Sequence, residues 1–159
     1  MKAAVERFRD LLSSHGYRVT PQRLAIYEAL VATDQHPSAE ELYRQVKKRF
    51  PMISPATVYN TLQLLVRMGL ASETGFPGET RYDGNPEVHI NILCVGCRRI
   101  FDVEEELATE VFRRVKDKSQ FTLFGQRHEF FGLCPDCRAR GVEVAGDDEE
   151  QVIASAGDR

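Results

Sequence analysis

The sequence predicts an α+β protein whose helical N-terminal half ends in a short hairpin and whose C-terminal half is rich in strands. Three observations support this fold class: four amphipathic helical periodicities before residue 70, two β-like stretches around a Gly- and Pro-containing turn, and two Cys-x-x-Cys pairs. Helices followed by a hairpin are typical of a winged-helix domain. We therefore predict a winged-helix domain followed by a small α/β domain with a structural zinc site.

Four helices are predicted in the N-terminal half. The first covers residues 3–14, where apolar side chains recur every three or four positions. Thr20 can cap the second helix, because the proline that follows suits the first helical position. Ser38 and Glu41 have the spacing of a capping box and begin the third helix. The fourth covers residues 54–68 and begins with the same Ser/Thr-Pro pattern as the second.

The hairpin and the C-terminal half are predicted from shorter signals. Residues 70–74 and 79–83 form the hairpin, which is the wing of the winged helix. Strands are then expected at 88–93, 99–103 and 120–132, with one helix at 104–118. The resulting domains are a winged helix at 1–84, a zinc-containing domain at 85–140 and an acidic tail at 141–159. The tail has six acidic residues and one basic residue, which predicts disorder.

Composition limits the classes of function. The chain of 159 residues has a formal net charge of −3, with +2 on residues 1–84 and −5 on residues 85–159. An acidic total does not exclude a nucleic-acid partner when the basic residues share one surface. No apolar run approaches the roughly 18 residues of a membrane span. The absence of a signal-peptide pattern and the metal-binding spacing of the cysteines lead us to expect a cytoplasmic protein with no membrane partner.

Two Cys-x-x-Cys pairs contain every cysteine in the chain. Four thiolates in two such pairs predict a closed tetrahedral Zn²⁺ site with no open position for catalysis. The alternatives are a redox Cys-x-x-Cys motif or two disulfides, but a thioredoxin-like motif needs only one pair. The predicted ligands are Cys94, Cys97, Cys134 and Cys137.

The residues just before Cys94 form the strand around which the second half is organised. Side chains alternate between the two faces of a strand. Ile90 and Ile92 are therefore expected to face the core, whereas His89 and Asn91 point together to the opposite side. The sequence thus places two polar metal-ligand candidates next to the zinc pair.

The fourth predicted helix has an outward face suited to double-stranded DNA. Amides can bind adenine edges in the major groove, hydroxyl and guanidinium groups can bind phosphates, and an aromatic ring can contact a thymine methyl. The alternative is an ordinary amphipathic helix with a solvated polar face, and the wing that follows favours DNA binding. The outward residues are Thr57, Tyr59, Asn60, Thr61, Gln63 and Arg67, and the predicted DNA-binding set comprises the first five with Arg23.

Several short motifs follow one another along the chain. They are Thr20-Pro21-Gln22-Arg23, His36-Pro37-Ser38-Ala39, Ser54-Pro55-Ala56-Thr57-Val58-Tyr59-Asn60-Thr61-Leu62 and both cysteine pairs. With these motifs, residues 4–138 resemble the ferric uptake regulator (Fur) family of bacterial metal-dependent repressors. The resemblance implies a homodimer that binds a palindromic DNA operator and dimerises through C-terminal domains around structural zinc. It also implies a second, regulatory metal ion at the hinge between the domains.

The regulatory ligands implied by the resemblance are His36, Asp83, His89, Asn91 and Asp102. Imidazole and carboxylate ligands suit Fe²⁺ or Mn²⁺. Taken singly, each residue has an ordinary alternative, such as a loop histidine, a turn aspartate or a surface carboxylate. Asn91 departs from the family, which usually has histidine there, so it either binds the metal weakly or forms a hydrogen bond beside it.

Asp102 points to one branch of the family. The iron-sensing members usually have glutamate at this position, whereas the peroxide-responsive (PerR) branch has aspartate. The resemblance therefore implies iron-catalysed oxidation of a ligand histidine, His36 or His89, followed by release of DNA. A further metal site found in other members has Gln126 at its histidine position, with His128 nearby, so we expect that site to be absent or altered.

The sequence-based conclusion is a metal-dependent, peroxide-sensing transcriptional repressor that is not an enzyme. The alternative within the family is a repressor that responds to iron or another divalent metal without peroxide chemistry. A metalloenzyme is a different class, but the sequence has no nucleophile–base arrangement or general-acid pair. A zinc-ribbon interaction module would explain the cysteines and would leave the helix at 54–68 without a function.

Overall fold

The computed structural model describes residues 2–76, 78–85, 87–103, 106–123 and 126–144. Most of the predicted acidic tail, residues 145–159, lies outside the described residues. The chain forms two compact units, Met1–Pro86 and Glu87–Arg159. None of the helices in the described ranges combines the length and apolar character that a membrane span requires.

The first unit is a winged helix, as the sequence predicts. Its elements are α1 (Lys2–Ser14), α2 (Pro21–Val31), α3 (Ala39–Lys47), α4 (Pro55–Arg67) and the antiparallel hairpin of β1 (Ser72–Phe76) and β2 (Glu79–Asp83). The first hairpin strand begins two residues later than the predicted 70–74 and continues to Phe76, because the pairing extends up to the turn.

Side-chain caps begin the helices where the sequence predicts them. The hydroxyl of Thr20 accepts a hydrogen bond from the N–H of Arg23 at 3.3 Å at the start of α2. Ser38 and Glu41 form the predicted capping box, with N–O distances of 3.2 and 2.8 Å. These bonds satisfy backbone donors that have no partner within the helix. They fix the point at which α3 leaves the segment that contains His36.

A continuous apolar core joins the four helices of this unit. Its fully buried members include Phe8, Leu12, Ile26, Leu30, Leu42, Val58, Leu62 and Leu65. Thr61 belongs to this buried side of α4, with 1% of its surface exposed. The prediction that Thr61 faces outward is therefore wrong. Its hydroxyl donates to the carbonyl of Thr57 at 2.7 Å, so the buried hydroxyl is satisfied within the helix.

The second unit is a three-stranded sheet with two helices. Its elements are β3 (Ile90–Cys94), β4 (Ile100–Val103), α5 (Glu106–Lys118), β5 (Glu129–Gly132) and α6 (Pro135–Ala139). Strand β3 is central, antiparallel to β4 and parallel to β5. The strand predicted at 120–132 is too long, because among the described residues of that range the ladder with β3 comprises the last four. The short helix α6 in the second cysteine pair was not predicted.

The two faces of β3 differ from the sequence-based expectation. Ile90 and Ile92 are half-buried, whereas Asn91 and Leu93 are buried. Phe130 pairs with Ile92 in the sheet and is 57% exposed, so within the described residues this apolar face is only partly covered. The second unit buries the polar residue Asn91. The prediction that Ile90 and Ile92 lie in the core is therefore wrong for the single chain.

Candidate functional site

The four cysteines form one compact cluster. All four sulfur atoms lie within 4.8 Å of one another. The sulfurs of Cys97 and Cys134 are 3.8 Å apart. A tetrahedral Zn²⁺ with Zn–S bonds of about 2.3 Å requires S–S separations of about 3.8 Å. The cluster therefore has the size and ligand set of a structural zinc site, and it brings the four predicted ligands together.

Strand pairing brings the two cysteine pairs together. Cys94 is the last residue of β3 and pairs with Gly132 at the end of the parallel β5. The backbone N–H of Cys134 donates to the sulfur of Cys94 at 3.2 Å. At Gly96 a Cβ atom would lie 3.1 Å from the sulfur of Cys137, so a glycine allows the two turns to approach.

Two arginines, which the sequence analysis did not identify, contact the cluster. Arg99 Nε donates to the sulfur of Cys97 at 3.4 Å, and Arg140 Nη2 donates to the sulfur of Cys137 at 3.2 Å. Four thiolates around Zn²⁺ have a net charge of −2, so two guanidinium groups offset it. The sequence feature that could have identified them is an arginine two or three residues after one cysteine of each pair.

Hydrogen bonds and burial act differently on the thiols of the cluster. Burial raises the pKa of Cys94, but hydrogen bonds led by the backbone N–H of Cys134 outweigh it and lower that pKa to about 6. Burial raises the pKa of Cys137 to about 11. Zinc binds thiolates, so its uptake releases protons and strengthens as the pH rises.

In the first unit, two of the predicted regulatory ligands are close together and buried. His36 Nε2 lies 4.0 Å from Asp83 Oδ1, and their side chains are 2% and 6% exposed. The Nδ1 atom of His36 is 3.1 Å from the carbonyl of Asp34, which can only accept a hydrogen bond. Nδ1 therefore carries the proton in the neutral ring, and the Nε2 lone pair faces the carboxylate.

The backbone connects these two ligands directly. The N–H of Tyr82 donates to the carbonyl of Pro37 at 3.0 Å, which joins β2 to the segment that precedes α3. His36 has a φ of +46°, a left-handed conformation that few non-glycine residues adopt. The ring of His36 thus reaches Asp83 from a constrained backbone.

In the second unit, the other three predicted ligands lie on one face of the sheet. Asn91 pairs with Asp102 across β3 and β4, so their side chains share a face. His89 Nε2 lies 4.0 Å from Asp102 Oδ1 and 3.3 Å from Asn91 Nδ2. His89 Nδ1 is 2.7 Å from the carbonyl of Glu87, which leaves Nε2 unprotonated in the neutral ring.

Asn91 provides the test of whether this face suits a metal ion. Its Oδ1 atom is buried and makes no hydrogen bond within the described structure. An unsatisfied buried oxygen costs about 1–3 kcal/mol, so a ligand for it would be stabilising. The carboxamide is planar, and a half-turn places this oxygen beside His89 Nε2. Oxygen and imidazole donors together suit Fe²⁺ or Mn²⁺.

Helix α4 presents most of the predicted DNA-binding residues to solvent. Tyr59, Asn60 and Gln63 are exposed and Thr57 is half-buried. Arg23 on α2 is half-buried, and its guanidinium donates to the carbonyl of Arg18 at 2.6 Å. With Thr61 removed, the remaining predicted residues on α4 stay candidates for a DNA interface.

Gln126 and His128, the residues that the resemblance relates to a further metal site, contact each other. His128 Nε2 lies 3.1 Å from Gln126 Oε1. His128 therefore has a side-chain partner within the second unit.

Fold and cysteine cluster together define a zinc-containing winged-helix protein, and comparison with known proteins gives its family. The model of the ferric uptake regulator family matches residues 14–131. The peroxide-responsive repressor PerR of Staphylococcus epidermidis is 34% identical over 131 residues, which are 82% of this chain and 87% of that protein. The chain belongs to the ferric uptake regulator family.

Solved structures agree with this assignment. The Campylobacter jejuni peroxide stress regulator has a TM-score of 0.68 at 32% identity and covers 80% of this chain and 97% of its own. The Helicobacter pylori ferric uptake regulator Fur has a TM-score of 0.71 at 23% identity, with coverages of 86% and 93%, and supports the fold.

Loss of one thiolate should abolish the zinc site. We expect Cys97→Ser to bind far less Zn²⁺ than the wild-type chain after dialysis, because three thiolates leave the tetrahedron open. Metal analysis by mass spectrometry measures this directly. Asp136→Asn is the matched control, since Asp136 lies in the second cysteine pair and supplies no sulfur. Full zinc retention by Cys97→Ser would refute the four-thiolate site.

Proposed function

We propose that this protein is a metal-dependent transcriptional repressor that binds a palindromic DNA operator as a homodimer and senses peroxide. The identity to a protein named a peroxide-responsive repressor supports this function, as does the exposed polar face of α4. A repressor acts where the DNA is, so we place the protein in the cytoplasm.

The regulatory centre in this proposal uses both units. One Fe²⁺ or Mn²⁺ is bound by the pair in the first unit and the three residues in the second, namely His36, Asp83, His89, Asn91 and Asp102. The chain length allows it, because Asp83 and His89 are six positions apart, which limits their Cα atoms to about 20 Å. The first unit alone gives two donor side chains and the second unit gives three, whereas the combined set contains five.

The observation on which the proposal depends most is the contact of His89 with Asp102 beside the buried carboxamide of Asn91. A histidine, an aspartate and an amide thus lie on one sheet face. Asp102 has one methylene fewer than glutamate, so its carboxylate reaches less far from β4. The shorter reach favours a more open coordination sphere, which is the feature that peroxide chemistry needs.

The ligands in the first unit link the centre to DNA binding. His36 lies three residues before α3, and Asp83 is the last residue of the wing strand β2. Holding both on one ion fixes the wing relative to the start of α3. The loss of one ligand would free these segments, and the affinity for DNA would fall.

An Fe²⁺ held by these residues would supply the redox chemistry, in which H₂O₂ transfers one oxygen atom to the ring of a ligand histidine and leaves as water. Nδ1 of His36 and Nδ1 of His89 each lie within hydrogen-bond distance of a backbone carbonyl, so Nε2 is the ring atom that would bind the metal ion. An oxidised ring is a weaker ligand than neutral imidazole. The residues that bind the sensor metal are therefore also the residues through which the signal is transmitted.

The exposed apolar surface of the second unit supports a homodimer. Leu107, Val111 and Val115 follow one another at four-residue intervals on α5 and are 64%, 47% and 48% exposed. On β5, Phe130 is 57% exposed. Contiguous exposed apolar side chains mark interaction surfaces, and a second copy of the chain offers the same surface.

A second candidate function is a repressor that responds to the level of a divalent metal without peroxide chemistry. Asn91 favours it, because a carboxamide oxygen is a weaker ligand than imidazole and lowers the affinity for the metal. In this case DNA is released when the metal dissociates, and both histidines remain unmodified.

Mass spectrometry separates these functions. After brief H₂O₂ treatment of Fe²⁺-loaded protein, we expect the peptide containing His36 or His89 to gain the mass of one oxygen atom. Mn²⁺-loaded protein is the matched control and should stay unmodified. Asp102→Glu should keep its iron and lose most of the oxidation, because the longer carboxylate closes the coordination sphere. Unmodified histidines in protein that contains iron would contradict peroxide sensing.

A charged substitution on α5 tests whether its apolar side chains form the dimer interface. Val111→Asp should weaken dimerisation about a hundredfold or more, because each interface would bury an unpaired carboxylate. Sedimentation velocity over a concentration series measures the change. Thr109→Asp adds the same charge on another side of α5 and should remain dimeric. Equal dimerisation of the two variants would exclude this stripe from the interface.

A further inference from the structure

A side chain in the first turn of α3 forms a hydrogen bond with the exposed face of α4. The hydroxyl of Tyr59 donates a short hydrogen bond to a carboxylate oxygen of Glu40. Both residues are exposed, and Tyr59 keeps 40% of its surface accessible. An exposed tyrosine normally samples several rotamers, so a bond to a charged acceptor restricts its ring.

This contact shifts the pKa values of both groups. The hydrogen bond to Glu40 raises the pKa of Tyr59 above its ordinary value. The same bond is the main reason that the pKa of Glu40 lies below its usual range. At neutral pH the phenol is thus protonated and donates, while the carboxylate is ionised and accepts.

Glu40 lies in a helical turn whose position is fixed by other contacts. It belongs to the first turn of a helix whose start is set by the capping box of Ser38 and Glu41. The neighbouring Glu41 accepts a hydrogen bond from Arg81 of the wing strand at 3.0 Å. Positions 40 and 41 diverge by about 100° around the helix, so one glutamate reaches α4 and the other reaches the wing.

We propose that Glu40 is a positioning residue for DNA recognition, which holds the ring of Tyr59 in one orientation on the exposed face of α4. The inference rests on the proposed DNA-binding function. A ring ordered before binding loses less conformational entropy at the interface, and one immobilised side chain changes affinity about two- to tenfold. Glu40 acts through Tyr59, since a carboxylate has no attraction of its own for phosphates.

A double-mutant cycle tests this role. The probe is a palindromic duplex selected by the zinc- and Mn²⁺-loaded wild-type protein from a random-sequence pool, with a scrambled duplex as comparison. Glu40→Ala and Tyr59→Phe should each reduce the selected-to-scrambled affinity ratio about two- to tenfold, and the double variant should reduce it no further. Glu40→Gln keeps an acceptor oxygen while removing the charge, so it should retain most of the ratio.

A second readout follows the contact without DNA. In protein with ¹³C-labelled tyrosine side chains, Glu40→Ala should lower the pKa of Tyr59 toward its ordinary value. An unchanged Tyr59 pKa, or additive losses in the cycle, would overturn the positioning role alone. A wild-type protein that selects no duplex would overturn the proposed function together with this inference.

Discussion

The alternation of side chains along β3 is the constraint on which the second unit depends. Its last residue, Cys94, enters the cysteine cluster, and its polar residue Asn91 pairs with Asp102 on β4. A shift of one residue in the β3–β4 register would move Asn91 to the opposite face and separate it from that carboxylate. The zinc site fixes the end of the strand and so opposes such a shift. The structural zinc site and the sheet face with the metal-ligand candidates therefore both depend on the same strand register.

In the first unit, the start of α3 has the corresponding role. The segment from His36 to Glu41 contains a metal-ligand candidate, the capping box and both glutamates that contact other elements. The hydrogen bond from Tyr82 to Pro37 joins this segment to the wing. In the proposed mechanism, a ligand lost at His36 affects the helix start, and the helix start supports the wing and Tyr59. These effects act over a short distance, because each residue involved is within one or two contacts of the first turn of α3.

Local patterns predicted most of the fold, because helix caps and Cys-x-x-Cys spacings depend on residues close in sequence. The cysteine cluster, the winged helix and the capping box were predictable for this reason. The burial of Thr61 was not, since its polar side chain at the edge of the apolar stripe led to its assignment to the outward face. The faces of β3 were assigned wrongly because burial there depends on which strands pair and on the apolar surface left for a partner. Arg99, Arg140 and Glu40 act through contacts that the spacing of motifs does not encode.

The central claim is that ligands from both units bind one regulatory ion. Its most direct test is the number of Mn²⁺ ions bound per chain by the zinc-containing protein, measured by equilibrium dialysis. The account predicts that His36→Ala in the first unit and Asp102→Ala in the second each abolish the same binding event while the structural zinc is retained. Undiminished Mn²⁺ binding in either variant would contradict a shared centre, because the remaining ligands would then be sufficient alone.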